Sequence, residues 1–268
     1  MSQVVGFLGA GQMARALAGG FRQAGLVDGE NVVFFDPSSE AADAFQQAVP
    51  GSQGLDDELS VARQAGLLFL AVMPQVMPLV LEKLAGQVTP GTLVVSIAAG
   101  IRLARLVEAL GSERVIRVMP NTPCLVGKGA SAFSATDAVG PEDCQLVQEL
   151  MESVGMAVRV QEDQMDAVTG LSGSGPAYIY TVIEALSDAG VAEGLPRQVA
   201  SQLATQTTLG AAIMVQQTGE PPSALTDQVT SPGGTTIAGL QTLAEHGLSA
   251  ALGAAVESAT RRSEELGE

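Results

Sequence analysis

Short apolar runs alternate with helix-length segments over the first 160 residues of the chain. The runs predict strands at 4–8, 32–35, 67–72, 93–97, 115–118, 129–134 and 157–160. The segments between them predict helices ending near 25 and spanning about 41–49, 57–64, 76–85, 103–110 and 141–154. This alternation is typical of an α/β fold, with a mostly parallel, doubly wound sheet covered by helices on both faces.

The pattern changes after about Gln161, where strand-like runs end and long helical patterns begin. Helices are predicted from the Gly175–Pro176 turn to Gly190, from Pro196 to about Gln217, after Gly234, and from about Ser249 to Leu266. We therefore expect two domains, 1–160 with the sheet and 161–268 all helical. The segment 196–217 is rich in Ala, Thr and Gly, so we expect it to be buried on more than one side, against another subunit.

A glycine motif follows the first predicted strand directly. Gly9, Gly11 and Ala14 give the pattern G-x-G-x-x-A, and it opens the first helix. This is the Rossmann dinucleotide fingerprint, in which the first glycine permits a tight turn, the second lets backbone approach a diphosphate, and the alanine keeps helix and strand close. The alternative is a glycine turn that serves packing alone.

The second predicted strand ends in Asp36, at the distance from the glycines where an acidic residue commonly holds the adenosine ribose hydroxyls. A phosphate on that ribose would meet like charge, so the sequence favours NADH over NADPH. Two alternatives remain open. Ser38 and Ser39 could donate to a phosphate, and Asp36 could simply begin the turn at Pro37.

The next two predicted strands end in small or imino residues, Met73–Pro74 and Ala98–Gly100. The carboxyl ends of parallel strands face the ligand in an open α/β sheet, and small residues there let a dinucleotide lie on backbone. The alternative is that these are ordinary turn residues at strand ends, which would give the same sequence pattern.

A second glycine turn, Ser231–Gly234, leads into Thr235, Thr236 and a helical pattern. The first N–H groups of a helix lack intrahelical partners, and the helix dipole places about half a positive charge there. The turn therefore predicts a site for a small anion, with hydroxyls at its rim. An ordinary capped helix is the alternative.

Composition excludes several classes of function. The 268 residues carry a net charge of −16 and 3% aromatics, which argues against binding to nucleic acid or an anionic membrane. No apolar run approaches the length of a membrane span, and the chain has no charged leader, so we expect a cytoplasmic protein. Two isolated cysteines, Cys124 and Cys144, and the single His246 predict neither a disulfide framework nor a metal site. Difficult chemistry must come from a cofactor.

Two further stretches stand out, the loop Met119–Pro123 with Asn121 at its centre, and Gly170–Tyr178. An asparagine between prolines most often satisfies backbone groups of its own turn, and a role in shaping the cofactor pocket is the alternative. Together with the fingerprint and Val229–Leu240, these stretches resemble the pyrroline-5-carboxylate reductase family over essentially the whole chain. The resemblance implies a Rossmann domain joined to a helical domain that interlocks with a partner's, and larger rings of dimers are common in the family. It also implies NAD(P)H-dependent reduction of 1-pyrroline-5-carboxylate to L-proline.

The resemblance further assigns site residues. Ser231 and the backbone of Thr235 and Thr236 would bind the substrate carboxylate, the Thr236 hydroxyl would lie against the ring nitrogen, and Glu162 would lie near the substrate. The matching cofactor positions are Gly6, Phe7, Leu8, Gly9, Ala10, Gly11, Gln12, Met13, Ala14, Asp36, Ala71, Val72, Met73, Pro74, Ile97, Ala98, Ala99 and Gln228.

Three of those positions depart from the family pattern. Met73 stands where lysine is usual, Gln228 replaces a common asparagine, and Asp36 occupies a position often used for the NADPH ribose phosphate. All three favour NADH. One rival function is another hydride-transfer enzyme with a Rossmann and a helical domain, such as a β-hydroxyacid dehydrogenase or a different imine reductase. The other is a non-catalytic nucleotide-sensing or scaffolding protein. The hydroxyacid enzymes generally use a lysine in the helical domain, whereas Lys83 and Lys128 both lie in the first half.

Overall fold

The structure is a computed structural model, and it describes residues 3–267. Its internal contacts divide the chain into two compact units. The first runs to Ser174 and includes the end of the chain from Glu257 onward, and the second spans Gly175–Val256. The domain boundary at 160/161 stays a prediction.

The first unit is built on a sheet of eight strands. They are β1 (Val5–Leu8), β2 (Val32–Phe35), β3 (Gln53–Gly54), β4 (Leu67–Leu70), β5 (Leu93–Ser96), β6 (Val115–Met119), β7 (Gly129–Ala135) and β8 (Gly155–Arg159). Their order is β3-β2-β1-β4-β5-β6-β7-β8, and all neighbours are parallel except β6 and β7. The strand order therefore reverses at β1, between β2 and β4, which is where open α/β sheets bind ligands. The short edge strand β3 was not predicted, because two exposed residues carry no apolar pattern.

Helices cover both faces of this sheet, which confirms the predicted fold class. They are α1 (Gln12–Gln23), α2 (Ser39–Ala48), α3 (Glu58–Gln64), α4 (Met77–Leu84), α5 (Leu103–Leu110), α6 (Pro141–Glu152) and α7 (Met165–Val168). Alternate residues of β1 and β4 enter two separate cores. Phe7 stacks on Phe69 with ring centroids 4.8 Å apart on one face, while Leu8, Leu68 and their neighbours pack on the other. Burying each such side chain contributes roughly 1.5–3 kcal/mol, so both faces stabilise the sheet.

The segment before the second unit differs from its prediction. The sequence predicted a turn before the helix that begins at Gly175. Instead, Thr169–Gly173 forms a π-helical turn after α7, closed by the Ser174 N–H donating to the Thr169 carbonyl at 2.9 Å. The Ser172 hydroxyl donates to the Val168 carbonyl at 3.1 Å. Glycine flexibility was interpreted as a break, whereas here it permits a widened helical turn.

The second unit is helical. It contains α8 (Gly175–Ala192), α9 (Arg197–Thr218), α10 (Pro222–Gln228), α11 (Thr235–Glu245) and the first part of α12 (Leu248–Gly267). The burial expected for α9 is not found within one chain, where Ala200 and Ala204 are its buried residues. Leu203 and Leu209 of α9 are about half exposed, at 54% and 50%. Apolar patches of this kind mark interaction surfaces, so the burial predicted for α9 requires another protein chain. None of the helices described between residues 3 and 267 combines the length and apolarity needed to span a bilayer.

Candidate active site

The turn between β1 and α1 requires glycine at its first position for two reasons. Gly9 has φ +96°, in the left-handed region that L side chains rarely adopt. A Cβ on Gly9 would also lie 2.6 Å from the carbonyl oxygen of Ala71, which belongs to the loop after β4. The Gly9 N–H donates to the Phe35 carbonyl at 2.9 Å, so the turn is held between the ends of β2 and β4.

The N-terminus of α1 is open to an anion. Its N-cap is Gly11, no side chain caps the first turn, and no acidic residue lies in it. A Cβ on Gly11 would meet no atom within 4 Å, so a ligand can approach the backbone there. Ala14 on the inner side of α1 is fully buried. These residues fit a dinucleotide diphosphate, with unpartnered N–H groups and the helix dipole directed at it.

Asp36 joins this turn to the end of β2. Its Oδ2 accepts from the Ala10 N–H at 2.8 Å, and its Oδ1 accepts from the Ser38 N–H at 2.9 Å. The carboxylate therefore organises the turn at Pro37, which was one of the two alternatives to ribose binding. Each carboxylate oxygen has a second lone pair, so the half-buried Asp36 can still accept from a ribose hydroxyl.

Three predicted cofactor segments lie side by side at the carboxyl edge of the sheet. The Ala71 N–H donates to the Leu8 carbonyl at 2.8 Å, and the Ile97 N–H donates to the Leu70 carbonyl at 3.1 Å. The loops after β1, β4 and β5 thus form a continuous backbone floor at the switch point. Met73 is 67% exposed on it, while Ala98 is buried. Gln12 is exposed on α1 and Met13 is half-buried there, and Val72, Pro74 and Ala99 are half-buried on the floor.

The first three predicted cofactor residues have packing roles in this structure. Phe7 and Leu8 are buried core residues of β1. A Cβ on Gly6 would lie 2.8 Å from both Ala65 Cβ and Val61 Cγ1, so glycine there lets α3 approach the sheet. Any contact with a cofactor by these three residues stays a prediction.

The second glycine turn belongs to the second unit. The Gly234 N–H donates to the Ser231 carbonyl at 3.0 Å, and Gly233 has φ +70°, so Ser231–Gly234 is a tight turn with proline and glycine at its centre. It opens directly onto α11, whose N-cap Gly234 supplies no capping side chain and whose first turn has no acidic residue. Ser231 and Thr235 are exposed and Thr236 is half-buried. The arrangement suits a carboxylate, which would accept from the free N–H groups of Thr235 and Thr236. Gln228 is exposed at the last position of α10, three residues before the turn.

Glu162 lies in the first unit, at the start of a 3₁₀ turn, Glu162–Gln164. Its Oε1 accepts from the backbone N–H of Leu103, the first residue of α5, and lies 3.9 Å from Nη1 of Arg117. The side chain is 32% exposed. In this chain the carboxylate therefore caps α5, and its predicted place near the substrate stays untested.

The Asn121 side chain makes structural contacts, but the prediction that it satisfies backbone groups of its own turn is wrong. Its Nδ2 donates to the Ser172 carbonyl at 3.0 Å and its Oδ1 accepts from the Ala130 N–H at 2.9 Å. The side chain thus links the loop after β6 to the π-helical turn and to β7, and not to its own turn.

The histidine and the two cysteines have no part in the proposed site. His246 is exposed at the C-cap of α11. Cys124 and Cys144 are buried free thiols, and burial raises the pKa of the Cys124 thiol. Among residues 3–267 no three His, Cys, Asp or Glu side chains are grouped as metal ligands.

One buried network was missed from the sequence. Arg117 in β6 is 2% exposed and donates from Nη2 to Asp166 Oδ1 at 3.3 Å. The available signal was a charged residue inside the apolar run Val115–Val118, because a buried charge requires a partner.

Two protein-family models and many known proteins match this chain. The model of the family described as pyrroline-5-carboxylate reductase dimerisation matches residues 162–266, and the one described as NADP oxidoreductase, coenzyme F420-dependent, matches 4–100. A pyrroline-5-carboxylate reductase of Pisum sativum is 45% identical over 265 residues, covering 99% of this chain and 96% of the relative.

Solved structures agree with these sequence matches. The crystal structure of Plasmodium falciparum pyrroline carboxylate reductase with NADP bound aligns with a TM-score of 0.90 and 34% identity, covering 99% of this chain and 98% of that one. A pyrroline-5-carboxylate reductase from Coxiella burnetii aligns with a TM-score of 0.91 and 33% identity over all of both chains. The resemblance drawn from the motifs is thereby confirmed: this chain belongs to the pyrroline-5-carboxylate reductase family.

Proposed function

We propose that this chain reduces 1-pyrroline-5-carboxylate to L-proline with NAD(P)H, the last step of proline biosynthesis. The observation that carries the proposal is the uncapped N-terminus of α11 behind the Ser231–Gly234 turn, in a chain whose relatives bear this activity in their names. The substrate is an anionic ring imine. A neutral cavity would not select its carboxylate, whereas an open helix N-terminus does.

In this proposal the Ser231–Thr236 segment holds and orients the imine. The Ser231 hydroxyl and the N–H groups of Thr235 and Thr236 donate to the carboxylate. The Thr236 hydroxyl lies against the ring nitrogen, where it orients the imine and relays a proton as the C=N carbon receives hydride. Protonated imine is the better hydride acceptor, so the step needs position more than a strong acid.

The cofactor supplies the hydride when it is bound, and the first unit supplies its position. The Gly9–Gly11 turn and the N-terminus of α1 hold the diphosphate, and Asp36 accepts from the adenosine ribose. The backbone floor at Ala71–Pro74 and Ile97–Ala99 supports the rest of the dinucleotide. Gln228 contributes near the cofactor and Glu162 near the substrate, as the family resemblance implies.

The same proposal favours NADH over NADPH. A ribose phosphate would face the Asp36 carboxylate, at a cost of about 1–4 kcal/mol depending on the effective dielectric. Met73 provides no compensating positive charge. We expect kcat/KM to be higher with NADH than with NADPH in steady-state assays. The opposite ratio would show that Ser38 and Ser39 accommodate the phosphate despite Asp36.

For assembly and location we propose a cytoplasmic homodimer formed through the helical unit, with further association of dimers into a ring. The exposed apolar residues of α9 and the match of 162–266 to the dimerisation family support the dimer.

The test is oxidation of NADH on addition of 1-pyrroline-5-carboxylate, with product identified as L-proline and a series of β-hydroxyacids as controls. Turnover of the imine alone supports the proposal. Turnover of hydroxyacids with NAD⁺ would favour the rival dehydrogenase, although its usual lysine is missing from the second unit. Binding of NADH without turnover of either substrate class would favour a nucleotide-sensing protein.

A further inference from the structure

The end of the chain packs against the loop that follows the third cofactor segment. Gly100, with φ +75°, comes directly after Ile97–Ala99. A Cβ on Gly100 would lie 2.9 Å from Leu266 Cβ and 3.2 Å from the carbonyl oxygen of Ser263, and a Cβ on Gly267 would collide with the Gly100 carbonyl oxygen. The last turns of α12, Ser263–Gly267, therefore fit closely over Gly100, and we call them the C-terminal segment.

A buried hydrogen bond fixes this segment to the first unit. The Ser263 hydroxyl donates to Asp166 Oδ1 at 2.6 Å, and the same oxygen accepts from Arg117 Nη2 at 3.3 Å. Ser263 and Arg117 are each 2% exposed. Because a buried carboxylate without its donors would be strongly destabilised, Arg117 and Ser263 hold Asp166 in one position.

Glu162 holds the other end of the same loop. It caps Leu103, the first residue of α5, and lies 3.9 Å from the Arg117 guanidinium. Residues 100–103 are thus fixed by Leu266 at one end and by Glu162 at the other. Both contacts are linked to Arg117. The C-terminal segment is linked through Ser263 and Asp166, and Glu162 lies directly beside the guanidinium.

We infer that Arg117, Glu162, Asp166 and Ser263 are positioning residues that fix residues 100–103 and, through them, the Ile97–Ala99 backbone on which the cofactor lies. This inference rests on the proposed function and deepens it. It assigns the end of α12 a part in cofactor binding, although the residues of the network act through the loop and not by touching the cofactor.

Ser263→Ala in the full-length protein is the main test. NADH binding is titrated by nicotinamide fluorescence without imine, alongside steady-state kinetics. Loss of one buried hydrogen bond is expected to raise the Kd of NADH roughly three- to tenfold. We expect kcat at saturating NADH and KM for the imine to stay within twofold of the wild-type values. Arg262→Ala is the matched control, since it removes an exposed ion pair with Glu265 from the same helix turn and should leave the Kd unchanged.

Glu162 variants provide a second measurement should Ser263→Ala fail to fold. Glu162→Ala removes the acceptor for the Leu103 N–H and should raise the Kd of NADH, whereas Glu162→Gln keeps an acceptor oxygen and should restore most of the affinity. Wild-type Kd in the folded alanine variants would overturn the inference. So would a change confined to KM for the imine in Glu162→Ala, since Glu162 would then act only in its proposed place near the substrate and not through the loop. Failure of the proposed function is distinct, because the wild-type protein itself would not reduce 1-pyrroline-5-carboxylate.

Discussion

Two glycine turns in this chain open onto uncapped helices, and they are built differently. The Gly9–Gly11 turn begins in the sheet core, where Gly9 is buried and a Cβ on it would collide with the Ala71 backbone. The Ser231–Gly234 turn is exposed, and a Cβ on Gly233 would meet no atom within 4 Å. Both helices lack a side-chain cap and an acidic residue in the first turn.

The two glycine turns therefore depend on glycine for different reasons. At Gly9 glycine is required by backbone conformation and by packing, so in the proposed function cofactor binding and stability of the sheet depend on the same atoms. At Gly233 only the conformation requires glycine, and the neighbouring hydroxyls are free to take part in chemistry. Substitutions in the first turn should therefore lower stability and cofactor affinity together. Substitutions in the second turn should affect substrate binding and catalysis separately.

The largest effect is expected for Gly9→Ala. Left-handed backbone costs roughly 1–2 kcal/mol for a residue with a Cβ, and overpacking against Ala71 adds about 1–3 kcal/mol. Denaturant unfolding should show a loss near the sum, and NADH binding should weaken at least about tenfold. Gly25→Ala is the control, because Gly25 has φ +71° in open space and should lose only the conformational part. Equal losses in the two variants would contradict the packing argument.

Thr236→Ala should mainly lower kcat. In the proposed function this hydroxyl orients the imine and relays a proton, so its removal is expected to cost roughly tenfold to a hundredfold in kcat. The KM for NADH should not change, because the first turn is intact. Thr242→Ala on the exposed side of α11 is a matched control, since its hydroxyl donates to the Ala238 carbonyl within the helix. Unchanged kcat in Thr236→Ala would remove this hydroxyl from the proposed chemistry.

Ser231→Ala should mainly raise KM for 1-pyrroline-5-carboxylate. A charge-assisted hydrogen bond to the carboxylate is worth about 1.5–3 kcal/mol, so an increase of roughly tenfold or more is expected with kcat nearly unchanged. Ser223→Ala in the exposed part of α10 serves as the control. If both serine variants behave alike in steady-state kinetics, the carboxylate binds elsewhere.

Local patterns predicted most of this fold, and both glycine turns, from the sequence. Strands β1, β2, β4 and β5 were predicted within two residues because each is a short apolar run between turn residues. The Arg117 network was not predictable in this way, since it joins positions up to 146 apart in a single chain (263 − 117) and only a folded structure brings them together. The π-helical turn was missed for the opposite reason, because its glycines suggest a break while hydrogen bonds to Thr169 and Val168 sustain a helix.

Gly233→Ala should give the smallest effect and compares the two turns most directly. Its backbone has φ +70° with open space around it, so only the conformational cost of roughly 1–2 kcal/mol applies. Gly219→Ala, at φ +67° after α9 and also in open space, should lose the same stability. Only Gly233→Ala should also raise KM for the imine, by about threefold, because a shifted turn moves the N–H groups of Thr235 and Thr236. A loss of NADH affinity in Gly233→Ala comparable to that of Gly9→Ala would show that the two turns are not independent, and the distinction between a packed and an open glycine turn would then fail.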